Sequence, residues 1–124
     1  MSNEDQEYDL EQRTKEFSTD VITFAKKMQK NLVNKSMLDQ LIRSATSVGA
    51  NYREANAASS ERDFQNKISI CRKEIQETEY WLEILAESNP DKEDEIEKLW
   101  KEAHELTLIF NKIGSTLRKE NKDD

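Results

Sequence analysis

Four stretches of the chain carry apolar residues at alternating spacings of three and four, and almost nothing inside them breaks a helix. The first holds Leu10, Phe17, Val21, Phe24 and Met28, with Thr14 filling its one polar slot. The second holds Leu38, Leu41, Ala45, Val48, Tyr52 and Ala55. The third holds Phe64, Ile68, Cys71, Ile75, Leu82 and Leu85, with Thr78 in register, and the fourth holds Ile96, Leu99, Ala103, Leu106, Phe110, Ile113 and Leu117. A mean period of about 3.5 residues puts each set in one seam along one helix face. Helices of this kind bury their seams only against one another. With two glycines (Gly49, Gly114) and one proline (Pro90), the chain lacks the turn residues that sandwiches and barrels require. The expected fold is all-α: one domain over residues 1–124, an antiparallel up-and-down four-helix bundle. Its helices should span about 8–30, 36–57, 61–87 and 90–119, with frayed ends at 1–7 and 120–124.

Boundary signals support this division. Lys26, Lys27 and Lys30 load the end of the first helix, where the helix dipole favours cations. Residues 31–35 read as a short polar connection and Ser36 as the N-cap of the second helix. Ser60 followed by Asp63 resembles a capping box for the third. Asn89 and Pro90 suit an N-cap and first helical position for the fourth, whose first turn is crowded with Asp91, Glu93, Asp94 and Glu95. Gly49 lies inside the second helix, where Gly costs about 1 kcal/mol relative to Ala. It reads as a close approach of another helix, either within the bundle or from another subunit.

Charge is segregated along the chain. The total is −7, but residues 1–12 carry five acids and no base. Residues 13–73 carry twelve bases against six acids, and residues 74–124 carry seven bases against fifteen acids. A uniformly acidic protein repels nucleic acid and anionic membrane; a basic middle segment keeps a phosphate-binding surface open, with Lys26, Lys27, Lys30 and Lys35 clustered at the first turn as its candidates. The lone Cys71 allows no intrachain disulfide and fits a reducing compartment. The acidic start is unlike a signal peptide, and no apolar run approaches the roughly 20 residues of a membrane span, so a cytoplasmic protein with no membrane partner is expected.

Beside each core seam of the middle helices runs a second stripe. On the second helix it is Gln40, Ser44, Ser47, Asn51 and Glu54; on the third it is Asp63, Lys67, Ile70, Glu74, Glu77, Trp81 and Ile84. One residue is about 100° of rotation, so these stripes flank the core. Small and polar residues mixed with Ile and Trp suit a contact between subunits, the polar ones setting register. Trp81 and Trp100 both lie off the main seams, either as interface anchors or flat against the bundle edge.

Catalytic constellations are not found. Glu74 and Glu77 are spaced for a carboxylate pair, but a di-metal bundle also needs Glu-x-x-His motifs, and no Glu stands three residues before the only histidine, His104. Position 108 is Leu, so no zinc-protease pair forms. Cys71 falls in the core seam as an apolar filler rather than a nucleophile. No glycine-rich phosphate loop or zinc-ligand cluster exists. No enzyme activity, cofactor, metal or small-molecule substrate is expected.

The middle helices carry a recognisable run: Gln40-Leu41-x-Arg43-Ser44-Ala45, then Ser47-Val48-x-x-Asn51-x-x-Glu54-Ala55, Ser60-x-x-Asp63-Phe64, Lys73-Glu74 and Glu77-Thr78-Glu79-Tyr80-Trp81-Leu82. A looser match surrounds Glu16-Phe17 and Val21-Ile22, and the fourth helix matches in its apolar spacing alone. This run resembles the four-helix-bundle family of 23S ribosomal RNA intervening-sequence proteins, which includes the accessory proteins of diversity-generating retroelements. The resemblance implies a bundle assembled into a ring-like homopentamer, in a bacterial cytoplasmic protein without established catalysis. It also implies RNA or an RNA-handling protein as a partner. The motif residues Arg43, Ser47, Asn51, Glu54, Glu74 and Glu77 fall on the flanking stripes, so with Ser44 and Trp81 they form the expected oligomer interface. The acidic total favours the alternative, a protein–protein interaction module that never touches nucleic acid.

Overall fold

A computed structural model describes the backbone of residues 3–123 and the side chains of residues 10–119. Four α-helices follow one another: α1 (Asn3–Lys27), α2 (Leu32–Asn56), α3 (Glu61–Ser88) and α4 (Glu93–Asp123), the last preceded by a 3₁₀ turn over Pro90–Lys92. Each helix touches its two neighbours in the order α1, α2, α3, α4 and back to α1. Pairings across the grooves fix the direction. From α1 to α2, Glu11 meets Asn56, Thr14 meets Gly49 and Ser18 meets Ala45. From α3 to α4, Arg72 meets Asn111, Glu79 meets Thr107 and His104, and Glu83 meets Trp100. Numbers rise along one helix as they fall along the next, so the bundle runs up, down, up, down.

The core follows the four seams. Phe17, Val21, Leu41, Val48, Ile68, Ile75, Leu82, Leu106 and Phe110 are almost completely enclosed, and the Tyr52 and Phe110 rings meet edge to face at 5.8 Å. Burying a side chain of this size contributes about 1.5–3 kcal/mol. The seams loosen at one end: Phe64, Ile113 and Leu117 are half-buried, and Gly114 takes the buried place beside Ile113.

Several helix boundaries differ from the sequence expectation. α2 begins at Leu32, not at 36, because Asn31 rather than Ser36 is the N-cap; its side chain accepts from the Asn34 N–H at 2.8 Å. Starting one turn early carries Asn34 inward, where its amide and that of Asn89 exchange hydrogen bonds at 3.1 and 3.2 Å. The consequence is that Leu32 and Val33 face solvent. α1 ends at Lys27, and Lys30 folds back to donate to the Ala25 and Met28 carbonyls, closing the last turn. Asn89 makes no side-chain cap for the fourth helix; it is drawn away to Asn34 and the Leu85 carbonyl, and Pro90 opens a 3₁₀ turn instead of the α-helix itself. Ser60 does cap α3, accepting from the Asp63 N–H at 3.1 Å. The expected frayed ends fall partly on helix, since α1 starts at Asn3 and α4 runs to Asp123; Met1, Ser2 and Asp124 lie outside the described residues.

Gly49 marks a close approach within the bundle: a β-carbon there would stand 3.3 Å from the Thr14 hydroxyl on α1. At Gly114 it would meet the end of the Arg72 side chain at 3.1 Å. The Arg72 guanidinium can swing aside, whereas Thr14 is enclosed and tied to the Glu11 carbonyl. Gly114→Ala should therefore raise stability by about 0.5–1 kcal/mol, while Gly49→Ala should gain markedly less; paired denaturant titrations of the two variants measure the difference.

Candidate functional site

The expected interface residues lie along the groove between α2 and α3. α3 is flanked by two helices, so positions one residue before its core seam turn toward α2 and positions one residue after turn toward α4. Along the α2 side, the Arg43 guanidinium bonds Glu74 at 2.8 Å and pairs with Glu77. Its Nε donates to Gln40 at 3.1 Å. One turn deeper the Thr78 hydroxyl donates to Ser44 Oγ at 2.9 Å and lies 2.8 Å from the Glu74 carbonyl. Lys67 reaches Glu54 at 3.7 Å. The stripe thus first serves as a polar seam within one chain. Ser44 is completely enclosed by its own fold and offers no surface to a second subunit.

The outer members differ. Ser47 and Asn51 are half-buried, and the Asn51 amide donates to the Ser47 carbonyl at 2.8 Å and its hydroxyl at 2.9 Å. Trp81 is half-buried, with its ring edge-on to Tyr80 at 5.1 Å. Its indole N–H is inaccessible to water and has no acceptor among the described residues, an arrangement that ordinarily calls for a partner. Tyr80 and Ile70 are exposed and Ile84 is half-buried nearby on the same helix.

The α4 side of α3 holds a network that the sequence reading did not assemble. Glu79, nearly buried, accepts from the Thr107 hydroxyl and lies 3.1 Å from His104 Nδ1. His104 stacks on Trp100 with centroids 4.8 Å apart, and the Trp100 indole donates to Glu83 at 3.1 Å. The signal was available: Glu79 and Glu83 each follow a core position on α3, as Trp100, His104 and Thr107 do on α4. Outside this groove, Arg13 of α1 binds Glu102 at 2.7 Å and also Glu105 on α4; these bonds, Glu102 foremost, hold its proton still more firmly than usual.

The four lysines gather at the α1–α2 turn. Lys26, Lys27 and Lys35 are exposed, and Lys30 is spent on carbonyls. The Asn34–Asn89 pair shows that this turn shares its end of the bundle with the acidic α3–α4 link. No group of three metal-ligating side chains occurs among the described residues, and no described helix is long and apolar enough to cross a membrane. Cys71 is enclosed, its thiol 3.5 Å from the Val48 carbonyl, and burial pushes its pKa up to about 12.

The sequence matches the family model described as 23S rRNA-intervening sequence protein over residues 6–120. Among solved structures, a crystal structure from Bacteroides thetaiotaomicron, of a protein of unknown function from the S23 ribosomal protein family, is similar to this chain. The two are 32% identical with a TM-score of 0.75, over 84% of this chain and 96% of that one. No curated protein sequence matches significantly.

Two outcomes follow from the groove chemistry. Arg43→Ala should cost about 1–3 kcal/mol, because it leaves the buried Glu74 without its cation. Adding Glu74→Gln should recover part of that loss; a double-mutant cycle by chemical denaturation measures the coupling. Cys71 sets a pH dependence. Its thiol ionises near 9.0 when unfolded and near 12 when folded. Below the lower value both states hold the proton and Cys71 adds no slope. Between the two the folded state binds more protons, so stability falls as pH rises, by up to about tenfold in the folding constant per pH unit. Stability measured from pH 8 to about 11 should decline more steeply for the parent than for Cys71→Ala.

Proposed function

The chain belongs to the 23S rRNA-intervening sequence protein family, and from that premise we propose that it works as a non-enzymatic, self-associating scaffold. The observation that carries this reading is the outer α2–α3 face. There Trp81 keeps its indole N–H away from water without an acceptor among the described residues, beside exposed Tyr80, and Ile70 is exposed about three turns earlier on α3. Arg43, held by Glu74 and Glu77, gives that face a fixed polar edge, and Ser47 and Asn51 leave small polar groups for close approach. A second copy covering this face would supply an acceptor for Trp81 and bury its aromatic neighbours. A closed ring, five-membered by family resemblance, is the proposed form, in the cytoplasm. Association with RNA or an RNA-handling protein is the proposed use.

A second reading, an interaction module that never touches nucleic acid, is favoured by one observation: the exposed lysines share their end of the bundle with a larger set of carboxylates.

Light scattering at micromolar concentration should give the mass of several copies, and a clean monomer defeats the assembly. Asn51→Leu should abolish or shrink the assembly while shifting the melting temperature by less than about 3 °C, because a half-buried polar residue sets register more than stability. Equal loss of both makes Asn51 an ordinary folding residue. Structured RNA titrated at low and then high salt separates the two uses: retardation that salt abolishes supports the accessory role, and none at low salt leaves the protein-interaction module.

A further inference from the structure

We propose that the end of the bundle formed by the α1–α2 and α3–α4 links is a self-complementary docking face whose occupant is a second copy of this chain, turned about a two-fold axis. Residues 26–35 carry four lysines and no acid; residues 87–95 carry five acids and one lysine. The Asn34–Asn89 amide pair binds these two segments side by side. Half of the end is therefore cationic and half anionic. Yet among the described residues no ion pair joins one link to the other, and Lys26, Lys27 and Lys35 have no carboxylate partner.

The same end carries apolar surface that its own fold does not use. Leu32 is 87% exposed and Val33 61% exposed, more than any other large apolar side chain described. Both stand in the first turn of α2, among the lysines. An apolar pair set in charge that its own chain leaves unpaired marks a contact surface.

The arrangement selects the partner. A two-fold contact places each patch of one copy against the complementary patch of the other. The cationic half of one end then meets the anionic half of the next twice over, and the apolar pairs are carried into the contact. A nucleic acid would meet Glu87, Asp91, Glu93, Asp94 and Glu95 along with the lysines and would be repelled by them. This contact is separate from the side face of α2 and α3: joining ends doubles whatever mass the side face produces.

The test uses two charge-reversed full-length proteins, K26E/K27E/K35E and E87K/D91K/D94K, each checked for unchanged helicity. In the parent, light scattering over a concentration series at low salt should show a doubling of mass. Its dissociation constant should rise about tenfold or more on going to 0.5 M salt. Each variant alone should lose the doubling, since both halves of its end then carry the same net sign. An equimolar mixture should restore it, since one variant's end is then strongly net acidic and the other's strongly net basic. Should either variant lose helicity, Leu32→Ser/Val33→Ser replaces it and should weaken the doubling at least about tenfold. The proposal is overturned if the parent never doubles, if folded variants still double alone, if the mixture fails to associate, or if the serine variant is unchanged. It is equally overturned if the lysine variant loses retardation of structured RNA with its mass unaltered. Asn51→Leu leaves this end intact, so it should lose the side-face assembly and keep the salt-sensitive doubling; failure of the side-face reading shows instead as a parent whose mass only doubles, from one copy to two.

Discussion

α3 packs between α2 and α4, so its apolar seam is flanked on both sides by a neighbour in the same chain, and most polar residues beside that seam pair with one of them. On the α2 side this produces Arg43 with Glu74 and Glu77, Thr78 with Ser44, and Lys67 with Glu54. On the α4 side it produces Arg72 with Asn111, Glu79 with Thr107 and His104, and Glu83 with Trp100. Enclosed polar groups such as Glu74, Thr78 and Ser44 are tolerable because each has a partner. What the bundle can show to other molecules is whatever these grooves leave uncovered, chiefly the outer edge of α2–α3 and the two ends.

The fold was legible because the seams alternate three and four over most of the chain, and all their positions but Phe64, Ile113 and Leu117, at one end of the bundle, are buried as expected. The end of α3 and the cap at Ser60 were legible because their signals are local. The start of α2 was not, and the reason is tertiary. Asn31 caps one turn before Ser36 because Asn34 is pulled in by Asn89, a residue 55 positions away. Asn89 likewise fails as a helix cap because the same partner claims its amide. Single-sequence reading weighs each asparagine against its own neighbours and has no means of pairing the two.

The candidate interface was legible as a stripe but not as to what covers it. Rotation of about 100° from a core seam states only that something lies alongside. Ser44 and Glu74 are covered by the chain itself, whereas Trp81, Ser47 and Asn51 keep a share of exposed surface. The distinction depends on depth in the groove, which residue spacing does not encode. The lysine cluster shows the complementary difficulty: Lys26, Lys27, Lys30 and Lys35 are close in sequence and do gather. The carboxylates beside them belong to a link more than 50 residues later, and Lys30 is withdrawn to cap α1.

The polar seams also explain how a repetitive apolar pattern yields one alignment. Sliding α3 past α2 by seven residues would keep apolar positions facing apolar positions, so the core discriminates weakly against the slip. The flanking groups discriminate strongly. Arg43 now faces Glu74 and Glu77; a slip one way would set it against Lys67 and Ile70, and the other way against Trp81 and Ile84. Either slip strands a guanidinium without a carboxylate. It also leaves Glu74 opposite Ser36 or Ala50, neither of which supplies a cation. An unpaired buried charge costs several kcal/mol, comparable with the whole stability of a small domain. The ion pair therefore contributes less by its own strength than by disfavouring the two seven-residue slips. A register fixed in this way sets the relative height of Ser47, Asn51 and Trp81, and with it the surface that a partner meets.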